Sequence, residues 1–122
     1  MIVRLVQNTL SRLFGFRSKE PLFHLVEVLG FEPHDMSYYE LAFRHSSVSK
    51  TDASGFKLNN ERLEFLGDSV LATAMSHYLY LHYPAWDEGE LSKRRGTIVK
   101  RAVNNAVAQR MGLDKMLQIR RE

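Results

Sequence analysis

Glu61, Glu64 and Asp68 stand at i, i+3 and i+7 in residues 60–70, Asn-Glu-Arg-Leu-Glu-Phe-Leu-Gly-Asp-Ser-Val. On a helix turning about 100° per residue they fall within an arc of roughly 60°, so all three project from one face within about two turns. Like charges at this spacing repel by roughly a few tenths of a kcal/mol in water, and by more when the helix is buried. A divalent cation removes that repulsion. Hard cations such as Mg2+ take one or two carboxylates, keep several waters and leave positions open for a phosphate. A solvated acidic face is the other use to which the same three residues can be put.

The neighbours of the carboxylates argue for the first use. Leu63, Phe65, Leu66, Val70 and Leu71 surround them with apolar groups, and a helix apolar around most of its girth is expected to be buried. Acidic groups in a buried helix need a partner. Gly67 lowers helix propensity by about 1 kcal/mol and in exchange lets another backbone come close.

Residues 60–71, NERLEFLGDSVL, closely resemble the signature of the ribonuclease III endonuclease domain, the double-stranded-RNA nuclease fold of the bacterial enzyme and of Dicer-type enzymes. His45–Ser47, Tyr83-Pro84, residues 87–92 and Arg95 match the same pattern, so the resemblance covers the chain from about residue 20 onward. It implies the all-α helical fold of that domain and metal-dependent hydrolysis of both strands of an RNA duplex, with Mg2+ as cofactor and Mn2+ as a possible substitute. Ribosomal RNA precursors and structured transcripts are the implied substrates, and the cytoplasm the implied location.

Carried over by position, the resemblance makes Glu64 and Asp68 metal ligands. Glu61 and Glu88 become catalytic-site acids that shape the same site and its substrate contacts. It places Phe65 in a socket on a second subunit and Gly67 at that interface, so that a homodimer forms through the signature helix. His45 with its nearby serine is carried over as structural. The family pattern also carries a second Asp-x-x-Glu pair on a later helix. Asp114 is followed by Leu117 at the third position and cannot supply it. The expectation is therefore residues 19–122 as the N-terminal portion of the domain, incomplete at its C-terminal end and without the double-stranded-RNA-binding domain. Such a fragment is expected to be inactive while its parent is active. A non-catalytic ribonuclease III-like RNA-binding or dimerisation module is the alternative.

Composition agrees with one soluble domain: 122 residues, 44% hydrophobic and 25% charged, with no cysteine and hence no disulfide or thiolate metal site. No apolar run approaches the roughly 18 residues a membrane span needs. The net charge of +3 conceals a division. Residues 1–90 carry 8 basic and 12 acidic side chains, whereas residues 91–122 carry 9 basic and 2 acidic. The basic part reads as a footprint for a polyanion, with Lys93, Arg94, Lys100 and Arg101 as its RNA-binding candidates.

The elements that would position these groups can be read from periodicity and punctuation. Residues 1–18 read as an N-terminal extension with a short amphipathic helix, and a helix opened by Pro21 runs to about Gly30. Ser37 and Glu40 make a capping box for a helix through about His45, and residues 48–58 form an exposed loop. Asn59 or Asn60 caps the signature helix, which continues to about His82 before Tyr83-Pro84 stops it. Asp87 and Glu90 make a second capping box for a helix to about Met111, with Gly112 as its stop. Its core face is Ile98, Val99, Ala102, Val103, Ala106 and Val107. Arg95 falls on that apolar side, where a charge needs a partner, and a carboxylate of the signature region or its flank is expected to supply it.

Overall fold

The structure, a computed structural model, describes residues 20–120, with side chains from residue 24 onward. The amphipathic helix expected within residues 1–18 lies outside the described residues. The chain divides into two compact units, residues 1–39 and 40–122. The architecture is helical apart from one small two-stranded sheet.

In the first unit, α1 spans Glu20–Leu29, as the Pro21 and leucine pattern predicts. Leu25 and Met36 are buried. The next helix, α2, spans Met36–Ala42 and runs across the division. Asp35 rather than Ser37 organises its start: the Ser37 N–H and hydroxyl both donate to Asp35 Oδ1, at 2.9 and 2.6 Å. These two bonds, the hydroxyl's first, hold the Asp35 carboxyl below its ordinary value. Their contribution is present above the ordinary aspartate range and is lost as pH falls through the lowered value.

The second unit is stitched around residues 43–47. Gln118 N–H donates to the Phe43 carbonyl at 2.7 Å and His45 N–H to the Gln118 carbonyl at 3.0 Å, a parallel bridge that ties the last described residues to the end of α2. This pairing ends α2 at Ala42, earlier than the sequence suggests. Arg44 is buried and its charge is met by Glu40 at 3.2 Å. His45 Nδ1 accepts from Ser47 N–H at 3.1 Å and so caps a single 3-10 turn at Ser46–Val48. That is a structural use of the histidine.

Residues 48–58 are not simply a loop. β1 (Lys50–Thr51) and β2 (Lys57–Leu58) pair antiparallel, with Lys50 opposite Leu58 and Thr51 opposite Lys57. The Asp52 carboxylate accepts from Ser54 and Phe56 N–H groups, and Gly55, at φ +85°, supplies the left-handed step the turn requires. The hairpin delivers Asn59 to the start of α3, Glu61–His82. Asn59 is buried; its Oδ1 accepts the Glu61 N–H at 3.0 Å and its Nδ2 donates to Ser49 Oγ and Glu61 Oε2. Asn60 precedes the helix without a capping bond and donates instead to the Ala42 carbonyl.

α4 spans Glu88–Ile98 and α5 spans Arg101–Arg110, so the single helix expected from Asp87 to Met111 is broken. Thr97, Ile98 and Val99 form a β-branched run that disfavours helix, and Lys100 turns extended at φ −62°, ψ 143°. Asn104 Nδ2 donates to the Val99 carbonyl at 3.3 Å, satisfying an acceptor that the break leaves open. The break shifts the phase of α5 relative to α4. Val103 and Val107 of the expected core face are therefore exposed, while Ile98 and Val99 are half-buried. Gly112, at φ +75°, stops α5 where the sequence placed the stop.

Candidate functional site

Glu64 and Asp68 lie one helical turn apart on α3 and line one open hollow together with Leu71. The opposite wall is made by Val99 from the helix break and by Arg101, Asn104 and Asn105 from α5. Arg101 Nη2 sits 3.3 Å from Glu64 Oε1, an ion pair between groups 37 positions apart in sequence. Two of the three spaced carboxylates thus share a cavity, and a guanidinium meets them there. Glu64 also lies in the first turn of α3, beside the positive end of the helix dipole.

The other acidic residues are placed differently. Glu61 is held by Asn59 at the helix start. Glu88 accepts from Ser92 Oγ at 2.7 Å and lines a second hollow with Ser76, Leu79, Tyr80 and Arg95. Within one chain, then, Glu88 does not reach the hollow of Glu64 and Asp68, as a single shared site would require. Among the described residues no three carboxylate or imidazole side chains converge as a metal cluster. The donors that do converge suit a hard cation. They are two carboxylates in a solvent-open hollow, within the one or two with which Mg2+ is held when waters complete its shell.

The basic candidates divide in two. Lys93 and Lys100 are exposed. Arg94 is held by Glu90, Nε to Oε1 at 2.6 Å, and its guanidinium lies 5.3 Å from the Trp86 ring centroid; Trp86 in turn stacks on Tyr83. This explains why the second capping box is one-sided. Asp87 accepts the Glu90 N–H at 2.8 Å, but the Glu90 carboxylate turns to Arg94.

Arg95 does not pair with a carboxylate as the sequence led us to expect. Its Nη1 donates to Ser76 Oγ at 2.9 Å, and Ser76 Oγ donates to the Ala72 carbonyl at 2.7 Å. A hydroxyl, rather than a counter-charge, therefore ties α4 to α3, and the half-buried guanidinium keeps contact with solvent. No acidic residue in the sequence marks Ser76 as that partner, and a serine in an apolar stripe is easily passed over.

The apolar wrap of α3 is also placed differently from expectation. Leu79 is its buried residue, while Phe65 is 79% exposed, with Leu66 and Val70 also open. A Cβ at Gly67 would meet nothing within 4 Å, so among the described residues the close approach that its glycine permits is not made.

Comparison with known proteins gives this arrangement its family. The profile described as Ribonuclease-III-like matches residues 35–122, which include the hairpin, α3, α4 and α5. The chain belongs to the ribonuclease III-like family. This ribonuclease III-like chain is 40% identical over 116 residues to a protein named Ribonuclease 3 from Azobacteroides pseudotrichonymphae, covering 95% of the chain and 44% of that relative. It is 39% identical over 107 residues to a protein of the same name from Phocaeicola vulgatus, covering 88% of the chain and 35% of the relative. Among solved structures it resembles the nuclease domain of ribonuclease III from Campylobacter jejuni. The TM-score is 0.69 and the identity 32%, over 80% of this chain and 64% of that one. That structure is described for flexibility in a region involved in dimer formation. The chain spans less than half the length of the two sequence relatives named.

The tie between α3 and α4 yields a measurable expectation. Arg95→Ala and Ser76→Ala delete the same charged hydrogen bond, so each should lower stability by about 1.5–3 kcal/mol. Urea unfolding of the two single variants and the double variant checks this, and losses that simply add in the double variant would contradict it.

Proposed function

We propose that the protein carrying these residues is a metal-dependent endonuclease that hydrolyses double-stranded RNA, acting in the cytoplasm on ribosomal RNA precursors and structured transcripts. The observation that carries the reading is the hollow in which Glu64 and Asp68 of the family signature face each other's charge. These two side chains would hold the cation, Mg2+ or Mn2+. When bound, it supplies Lewis acidity toward a phosphate oxygen and acidifies water. The chain's own groups do the rest. Glu61, fixed by Asn59, and Glu88, fixed by Ser92, are carboxylates held in place before substrate arrives. Lys93 and Lys100 are exposed and would meet phosphates, while Arg94 and Arg101 would add to them from their pairs with Glu90 and Glu64. Duplex RNA is read largely by shape and backbone, so such contacts suffice without base recognition.

A homodimer is part of this proposal. Phe65, Leu66 and Val70 make an exposed apolar ridge on the same helix as the carboxylates, and Gly67 beside them is open to a close neighbour. The region of dimer formation described for the Campylobacter jejuni relative supports the same reading.

Two outcomes are expected. The protein carrying these residues, rather than residues 1–122 alone, should cut a long labelled RNA duplex only with a divalent cation, and Asp68→Asn in it should lower the rate by about 100-fold or more, as loss of electrostatic stabilisation does elsewhere. Binding of duplex without cleavage would instead favour the non-catalytic module. In sedimentation, Phe65→Ala should shift the protein toward monomer, and an unchanged dimer fraction would remove Phe65 from the interface.

A further inference from the structure

We propose that Arg101 is a built-in counter-cation for the Glu64–Asp68 pair, which a divalent cation must displace from Glu64 in order to bind. The inference rests on the reading of that pair as a cation seat.

Arg101 reaches Glu64 because of a specific piece of backbone. The β-branched run at Thr97–Val99 ends α4, Lys100 turns extended, and α5 restarts with Arg101 as its first residue. Asn104 fastens that restart to the Val99 carbonyl. Had the helix continued unbroken, Arg101 would have followed the phase of α4 rather than the wall of the hollow.

The contact is loose as well as specific. The Arg101 side chain is 84% exposed and that of Glu64 52% exposed, with the nitrogen 3.3 Å from the oxygen. An exposed pair of this kind shifts an equilibrium by about two- to five-fold, not by orders of magnitude. A guanidinium already mostly in water leaves at little cost. Moreover, one arginine neutralises only one of the two carboxylates, whereas a divalent ion neutralises both. In the absence of the cation the hollow carries one net negative charge from Glu64, Asp68 and Arg101, and it would repel a phosphate. With a divalent cation seated the two carboxylates are neutralised. Cation binding therefore removes the negative charge that an RNA backbone would meet, and Arg101 is released from Glu64 in the same exchange.

The test is a Mg2+ titration of the chain and of Arg101→Gln and Lys100→Gln, followed by backbone amide signals at residues 64–71. Arg101→Gln should bind Mg2+ about two- to five-fold more tightly. Lys100→Gln removes the same charge next door without touching the hollow and should change affinity less. Equal gains in the two variants would reduce the effect to net charge and overturn the proposal, as would unchanged or weaker binding in Arg101→Gln. A second readout needs no metal. The guanidinium signals of Arg101 should move in Glu64→Gln and stay in Glu61→Gln; failure to move overturns the pairing. Should Mg2+ saturate neither the unaltered chain nor Arg101→Gln at residues 64–71, the cation seat itself fails and the proposal falls with it. Should it saturate both equally, the seat stands and the proposal alone falls.

Discussion

Glu64 and Asp68 are held one turn apart on a rigid helix, and their mutual repulsion constrains everything arranged around them. The start of α3 supplies part of the compensation through the helix dipole. A further part comes from Arg101 on Glu64, and Arg101 is available only because α4 stops at Ile98 and α5 begins anew. The position of α4 depends in turn on Arg95 reaching Ser76 of α3. One chain of dependence therefore runs from α3 to α4, through the break, and back to the carboxylates of α3. The site is closed by sequence-distant contacts although its two acids are sequence neighbours.

The apolar side of α3 completes the picture. Leucine, phenylalanine and valine surround the carboxylates, yet Phe65, Leu66 and Val70 stay open while Leu79 is buried near the far end of the helix. The helix is most exposed where its charge is concentrated. An acidic hollow beside an uncovered apolar ridge would let one element serve the proposed cation site and the proposed homodimer at once.

The bounds of α3, the glycine stop at Gly112 and the cap at Asp87 were legible because local chemistry dictates them: a proline after Tyr83, a left-handed position, a side-chain oxygen within reach of an orphan N–H. The pairing of Glu64 with Asp68 was legible for the same reason, since helical spacing alone brings them together. What failed was non-local. Periodicity carries the helix through residues 97–100 because Ile98, Val99, Ala102 and Val103 keep its phase, and periodicity alone takes no account of the β-branched run at Thr97–Val99. A carboxylate was expected for Arg95 on charge alone, but a hydroxyl 19 positions away meets it. The burial expected along α3 was inferred from its apolar girth, and the described residues of one chain do not supply it. Asp35 displaced Ser37 as organiser of α2 because it can accept from both the Ser37 N–H and its hydroxyl.

The claim at the centre of this account is that the divalent cation sits between α3 and the start of α5, at Glu64 and Asp68. Mn2+ titrated in trace amounts into the isotope-labelled chain broadens amide signals steeply with proximity and so maps the seat directly. A cation seated there predicts broadening that centres on residues 64–71 and 99–105 and disappears in Asp68→Asn. Broadening centred on Glu88 and the second hollow, or persisting in Asp68→Asn, would contradict it.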